Sequence, residues 1–289
     1  VTGADLKAKV RAILPLKTLW TGSQGREVPL PAALTRLYGR FRLPPVGSLP
    51  YIFSNFVTTL DGVVSLRTRG HANGADISGF NAQDRMVMGL LRAVADVVVV
   101  GSGTLAADNQ HIWTPEAICP ELEPGYGQLR KALGKVGPPL NVIVSGHGSL
   151  NLRLPVFSSG KVHVMILTTT AGAKRLAKQR IPAAVEIRAI RRHEGEIAAS
   201  RICSEVCSIR GVKRVLVEGG PRLLADFFKQ RLVSEQFLTL APQIAGRVEG
   251  DGRLGMVMGK VFAPRNPLWG RLTDARQGAS HLFLRYSFT

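Results

Sequence analysis

The segment Val215-Leu216-Val217-Glu218-Gly219-Gly220-Pro221-Arg222-Leu223-Leu224-Ala225-Asp226-Phe227-Phe228 carries the residue types best suited to chemistry. It reads as a buried strand, a glycine turn bearing a carboxylate, then an amphipathic helix. A helix that starts there aims unpaired backbone N–H groups and a partial positive charge at whatever lies above the turn. Glycine omits the side chain that would hold a bound group away from the backbone. A phosphate is the expected guest, and a nucleotide-cofactor enzyme the expected setting.

Two more turns have this character. Asp61-Gly62 follows a β-rich run over 51–57, and Gly101-Ser102-Gly103-Thr104 follows an unbroken apolar run over 95–100. Such apolar runs suit strands buried on both faces. If the three strands are parallel, their turns share the carboxyl rim, where α/β sheets bind ligands. Gly101 to Ala106 fits the pattern G-x-G-x-x-A. The acid that a Rossmann domain places about twenty residues on would be Glu121 or Glu123, in a proline-rich stretch, so a standard Rossmann domain is excluded. What remains is a phosphate-binding turn, or a tight strand-to-helix bend without a ligand. Asp108 stands four residues after Thr104. The two can face a ribose or ring amide together, or act as a local cap and a solvated acid. Arg92 ends the helix before the 95–100 strand. It can grip a substrate phosphate bidentately or complement the helix terminus.

The elements that position these groups alternate. Residues 84–94 have apolar positions at helical spacing. Strands are expected at 140–145, 162–167, 185–190, 213–217 and 235–240, with helices at 171–180, 194–210 and 222–229. Residues 67–78 and 109–139 read as loops, the second because of Pro115, Pro120, Pro124, Pro138 and Pro139. The run 281–288 reads as a C-terminal strand antiparallel to the one before it. This order predicts an α/β fold with a mostly parallel sheet covered on both faces. Residues 1–49, interrupted by five prolines, read as an N-terminal arm with one short helix over 32–38, packed on the main body or on a partner subunit.

The 289 residues carry a formal net charge of +18, which suits acidic partners or a well-solvated surface. Basic residues gather in the first forty positions (Lys7, Lys9, Arg11, Lys17, Arg26, Arg36, Arg40) and between Lys174 and Arg214. No basic run of five and no RNA-binding aromatic signature goes with them, so nucleic acid is a minority reading. Three cysteines, Cys119, Cys203 and Cys207, make no disulfide framework. The histidines (His71, His111, His147, His163, His193, His281) and cysteines show no metal-ligand spacing, so no metal is expected. A Gly-x-Ser-x-Gly elbow is absent, which argues against an α/β-hydrolase. Apolar runs too short for a bilayer and the lack of a signal-peptide core make a cytoplasmic setting the expectation.

Taken together, Pro50-Tyr51-Ile52, Thr59-Leu60-Asp61-Gly62, the run from Leu91 to Asp108, and Val217-Glu218-Gly219-Gly220-Pro221 resemble the reductase domain of bifunctional riboflavin-biosynthesis proteins. Leu238 to Gly246 and His281 to Tyr286 fit the same family's C-terminal pattern, so the resemblance covers residues 50–289, taken as a reductase domain. It implies a dihydrofolate-reductase-like three-layer fold, NADPH as hydride donor and a homodimer. The implied reaction reduces the ribosyl group of 5-amino-6-(5-phosphoribosylamino)uracil to the ribityl form. By position, the cofactor would meet Val57, Thr59, Gly101, Gly103, Thr104, Asp108, Gly219, Gly220, Pro221, Arg222 and Leu223. The phosphorylated pyrimidine would be held by Asp61, Arg92 and Glu218, with Asp108 and Glu218 as the catalytic pair. The turn from Ser145 to Ser149 would receive the adenine end or its 2′-phosphate.

Two departures lie on the substrate side. Asn55 replaces a lysine frequent in the family, and it neither carries charge nor acts as an acid at neutral pH. Asp108-Asn109-Gln110-His111-Ile112-Trp113 replaces the family's Asp-Asp-Pro with a following Leu-Thr. They leave open a reductase of the same fold acting on a pterin or another small carbonyl compound. The family's zinc-binding deaminase half is not in this sequence, so another chain would deaminate.

Overall fold

The computed structural model describes residues 13–47, 49–68, 71–191, 197–250 and 252–288. Lys7, Lys9, Arg11, His193 and the start of the helix expected at 194–210 lie outside them. Along the chain, β1 (Lys17–Thr21), β2 (Arg26–Glu27), α1 (Ala32–Tyr38) and β3 (Arg42–Leu43) precede β4 (Tyr51–Thr58). Then β5 (Val63–Ser65), α2 (Gly74–Ser78) and α3 (Ala82–Val94) lead to β6 (Val97–Gly101), and α4 (Ser102–Ala107), α5 (Pro115–Ile118) and α6 (Glu123–Ala132) lead to β7 (Leu140–Ser145). Next come α7 (Pro155–Ser158), β8 (Val164–Thr168), α8 (Thr170–Leu176), β9 (Val185–Ala189), α9 (Ala199–Cys207), β10 (Arg214–Val217), α10 (Pro221–Lys229) and β11 (Glu235–Leu240). Finally, β12 (Leu254–Gly255), β13 (Arg271–Gly278) and β14 (His281–Ser287) close the chain.

Ten strands form one sheet in the order β1-β13-β14-β11-β4-β10-β6-β7-β8-β9. From β11 to β9 the strands are parallel. Strand β14 is antiparallel to β11, β13 to β14, and β1 to β13. The expected C-terminal antiparallel strand is therefore present, but β13 and β1 were not legible. Strand β13 (Arg-Leu-Thr-Asp-Ala-Arg-Gln-Gly) looks polar, yet Asp274 and Arg276 are buried and paired with each other.

Alternate strand residues feed two cores. On one face Phe53, Val98 and Ile143 meet Leu34, Met86, Leu90, Leu105 and Leu129 from α1, α3, α4 and α6. On the other, Ile52, Val97, Val99 and Val217 meet Ile202, Leu224 and Phe227 from α9 and α10. The chain thus leaves β4 and β6 toward the first face and leaves β10, between them, toward the second. Neighbouring strands whose connections part in opposite directions open a crevice beyond their carboxyl ends.

The stretch 109–139 is not a loop. Pro115, Pro120 and Pro124 occupy opening positions of α5, a 3₁₀ turn and α6, where the missing N–H costs nothing. Helix α6 packs on α3, and Gly89 gives it room: a Cβ there would stand 2.4 Å from the Tyr126 hydroxyl oxygen. Residues 67–78 are likewise not all loop, because Asn73 caps α2 by accepting from the N–H groups of Ala75 and Asp76. Of the N-terminal segment, residues 13–47 pack on the main body: α1 joins the first core, and Arg276 donates to the Arg40 carbonyl at 2.8 Å.

Candidate active site

Strands β6 and β10 are adjacent and parallel, so Gly101 and Gly219–Gly220 meet at the crevice. A Cβ on Gly219 would lie 2.4 Å from Leu223 Cδ2, 3.0 Å from Gly101 N and 3.2 Å from Val100 Cα. No larger residue fits between the turns without movement. Gly103 is different, since no atom lies within 4 Å of where its Cβ would stand. A Cβ on Gly220 would be 3.3 Å from Thr104 Oγ1. Helices α4 and α10 begin here side by side, and their first-turn N–H groups have no intrahelical acceptors. Pro221 takes the first position of α10, and exposed Arg222 follows it. Open backbone and two helix starts form a cradle that fits the phosphates of a dinucleotide.

Behind the cradle, Arg92 and Glu218 hold each other. Arg92 Nε lies 3.0 Å and Nη2 2.8 Å from Glu218 Oε2, and the side chains are 1% and 5% exposed. The remaining nitrogen, Nη1, lies 2.7 Å from His111 Nε2 and donates to the Thr114 carbonyl at 3.2 Å. Arg130 of α6 donates to the carbonyls of Ala93 and Ala95, closing the end of α3 that carries Arg92. The loop with His111 is fixed by Asn141 of β7, which exchanges two 3.1 Å hydrogen bonds with the Trp113 backbone. Thr114 then caps α5 by accepting from Ala117 N.

Asp108 ends α4, its N–H donating to the Thr104 carbonyl at 3.1 Å. Its side chain is 39% exposed. Partial burial raises its pKa above the ordinary value, although the Arg92 charge opposes this. It is a carboxyl at the mouth of the crevice that holds its proton more firmly than a free aspartate.

Asp61 lies beyond the end of β4, the strand next to β10. Thr59 Oγ1 donates to Oδ1 at 2.5 Å, Ala245 N to Oδ1 at 3.1 Å and Gly246 N to Oδ2 at 2.8 Å. These bonds lower its pKa to about 2. Its oxygens clasp the loop after β11 to the end of β4, and Thr59 is part of that clasp. Val57 sits lower on β4, where its Cγ1 would be 3.2 Å from a Cβ on Gly74 at the start of α2. The Ser145–Ser149 turn shares the carboxyl rim beyond β7. Arg175 fastens it by donating to the His147 carbonyl and to Ser149 Oγ.

The structure therefore gathers Gly101, Gly103, Thr104, Asp108, Gly219, Gly220, Pro221, Arg222 and Leu223 at one crevice, with Arg92 and Glu218 just behind. Sequence reasoning missed two neighbours. His111 is three residues from Asp108, a spacing visible in the sequence. Asp84, 4% exposed, hydrogen-bonds the hydroxyls of Thr239 and Ser78, and burial, with the Glu218 charge adding to it, raises its pKa to about 6. Its only local sign was Asn81, whose side chain accepts from Asp84 N. Among the described residues no group of three or more His, Cys, Asp or Glu side chains is placed to hold a metal, and no helix is long and apolar enough to cross a membrane.

Residues 50–257 match the family described as RibD C-terminal domain. The 2,5-diamino-6-ribosylamino-4(3H)-pyrimidinone 5′-phosphate reductase of Archaeoglobus fulgidus is 26% identical over 197 residues, 68% of this chain and 82% of that protein. The riboflavin biosynthesis protein RibD of Chlamydia muridarum is 29% identical over 198 residues, again 68% of this chain but 48% of that protein. The chain thus spans about half the length of that RibD protein. Among solved structures, a pyrimidine reductase-like protein of Corynebacterium diphtheriae aligns with a TM-score of 0.65 at 19% identity, covering 89% of this chain and 98% of that one. The deaminase/reductase of Thermotoga maritima aligns with a TM-score of 0.62 at 20% identity, covering 84% and 57%. The expected α/β fold, a mostly parallel sheet with an antiparallel C-terminal strand, is shared with these structures. With residues 50–257 matched throughout, the chain belongs to the RibD C-terminal domain family.

Proposed function

We propose that the protein is an NADPH-dependent reductase. It reduces the ribosyl group of 5-amino-6-(5-phosphoribosylamino)uracil, or a close analogue, to the ribityl form in riboflavin biosynthesis. One observation carries the reading: a glycine-lined crevice between β6 and β10 backed by the buried Arg92–Glu218 pair. The names of the A. fulgidus and C. muridarum relatives support the pathway.

In this reading, backbone N–H groups of Gly101, Gly103, Thr104, Gly219, Gly220, Arg222 and Leu223 hold the dinucleotide, Pro221 lies beside it without a donor to give, and Val57 and Thr59 are at its flank. When bound, NADPH supplies a hydride for the anomeric carbon of the ring-opened sugar. The protein supplies position and a proton. Placing the reactants in contact contributes most of the acceleration. Asp108, with its raised pKa, is the proton donor to the atom beside the carbon reduced. Glu218, held in one orientation by Arg92, lines the back of the substrate space, and Asp61 fixes the loop that floors it.

Purified protein should consume NADPH with that compound or its 2,5-diamino-pyrimidinone analogue and form a product heavier by two hydrogens. Protein that binds NADPH but reduces neither compound contradicts the substrate assignment. Buried Asn55 in β4 favours one second reading, a same-fold reductase of another small carbonyl compound, which a substrate panel separates. A homodimer belongs to the proposal, supported by edge strand β1, where Leu19 and Trp20 are about half exposed; sedimentation as a 31.2 kDa species would contradict it. The three free cysteines support a cytoplasmic setting.

A further inference from the structure

His111 stands between Arg92 and Asp108, and none of the roles above uses it. Its Nε2 lies 2.7 Å from Arg92 Nη1, and its Nδ1 3.8 Å from Asp108 Oδ2. The ring is 13% exposed and edge-on to Trp113, with centroids 5.2 Å apart. A guanidinium has donors only, so Nε2 must accept and a neutral ring carries its proton on Nδ1, toward Asp108. The charged groups that face the ring are Arg92 from α3 and Asp108 from the end of α4, with Glu218 reached through Arg92. Burial and the Arg92 charge keep the ring neutral, moving its pKa down to about 3.

We propose that His111 is a positioning residue: with its tautomer set by Arg92, its Nδ1–H orients the Asp108 carboxyl for proton delivery. Glu218, Arg92, His111 and Asp108 then form one chain from the buried back of the crevice to its mouth. The inference rests on the reading of Asp108 as proton donor. A 3.8 Å separation exceeds a hydrogen bond, so the proposal requires this contact to close in the loaded protein, as apo catalytic contacts commonly do.

The test is magnetic resonance on the full chain labelled with ¹⁵N-histidine for the ring and ¹³C-aspartate for the Asp108 carboxyl, alone and with saturating NADPH, across neutral to mildly acidic pH for the ring and further into acid for the carboxyl. His111 should show a protonated Nδ1 and an unprotonated Nε2 that do not titrate in this range. In His111→Leu with NADPH, the Asp108 carboxyl should titrate higher by roughly one unit, because a hydrogen bond to the charged form is lost. In His111→Gln, whose amide can both accept from Arg92 and donate to Asp108, the titration should return toward wild type. A proton on Nε2, a ring titrating near its ordinary value, or an unchanged Asp108 in His111→Leu overturns the proposal. Should His111→Leu not fold, the wild-type Nδ1–H resonance must shift as the Asp108 carboxyl titrates with NADPH bound, and an Nδ1–H indifferent to that titration overturns the proposal. Failure to reduce either pyrimidine, with tautomer and shift as expected, supports the chain while rejecting the substrate.

Discussion

Arg92 and Glu218, 126 residues apart in sequence, meet through two nitrogens of one guanidinium at 3.0 and 2.8 Å, almost fully withdrawn from water. Removing one member leaves the other charge buried and uncompensated. Glu218→Gln or Arg92→Met should each destabilise the fold by about 3–5 kcal/mol. The double variant Arg92→Met/Glu218→Leu should cost less than the sum of its single changes. Denaturant midpoints measure this, and additive costs would show that the pair is not coupled.

Asp108 is exposed enough to be replaced without loss of fold. Asp108→Asn should lower turnover by about 10²-fold or more, the usual worth of a positioned acid, with stability changed by no more than about 0.5 kcal/mol. Wild-type kcat should fall as pH rises through the raised Asp108 pKa, and that limb should vanish in Asp108→Asn. Steady-state rates across pH check both.

The two glycine turns should respond differently to a methyl group. Gly219→Ala presses its methyl to 3.0 Å from Gly101 N and 3.2 Å from Val100 Cα, backbone that yields less readily than the displaced tip of Leu223, and should destabilise the protein by about 1–3 kcal/mol. Gly103→Ala meets only open space, so the melting temperature should hold while NADPH binding weakens. A Gly103→Ala protein with wild-type NADPH affinity would place the dinucleotide elsewhere.

Asp84 adds a pH dependence of opposite sign to that of a paired carboxylate. Its folded-state pKa of about 6 lies above the ordinary 3.8, so between these values the folded protein holds the proton that the unfolded chain has released. Stability should fall as pH rises through this window, by on the order of 2–3 kcal/mol. Asp84→Asn should flatten that slope and be the more stable protein at alkaline pH. Unfolding free energies on both sides of the window decide the point.

The strand-turn-helix at Glu218 was legible because three local signals coincide there: an apolar run, paired glycines and amphipathic spacing. The same holds for Gly101–Thr104. What surrounds them was hidden for physical reasons. Pro115, Pro120 and Pro124 looked like loop residues, yet each opens a helical turn, and α6 then delivers Arg130 to the end of α3. Strand β13 was obscured because Asp274 and Arg276 neutralise each other inside the sheet. The bidentate contact of Arg92 with Glu218 depends on β10 entering the sheet beside β6, a long-range pairing that no local pattern reports. Asp61 was legible as a rim residue, but the Ala245 and Gly246 amides that occupy its oxygens were not.

The most direct test of the central claim is calorimetric titration of the full chain with NADPH. One molecule should bind per chain with a dissociation constant in the micromolar range, about −8 kcal/mol, and affinity should drop in Gly103→Ala. Folded protein that gives no heat and no saturable binding with NADPH or NADH would contradict the account.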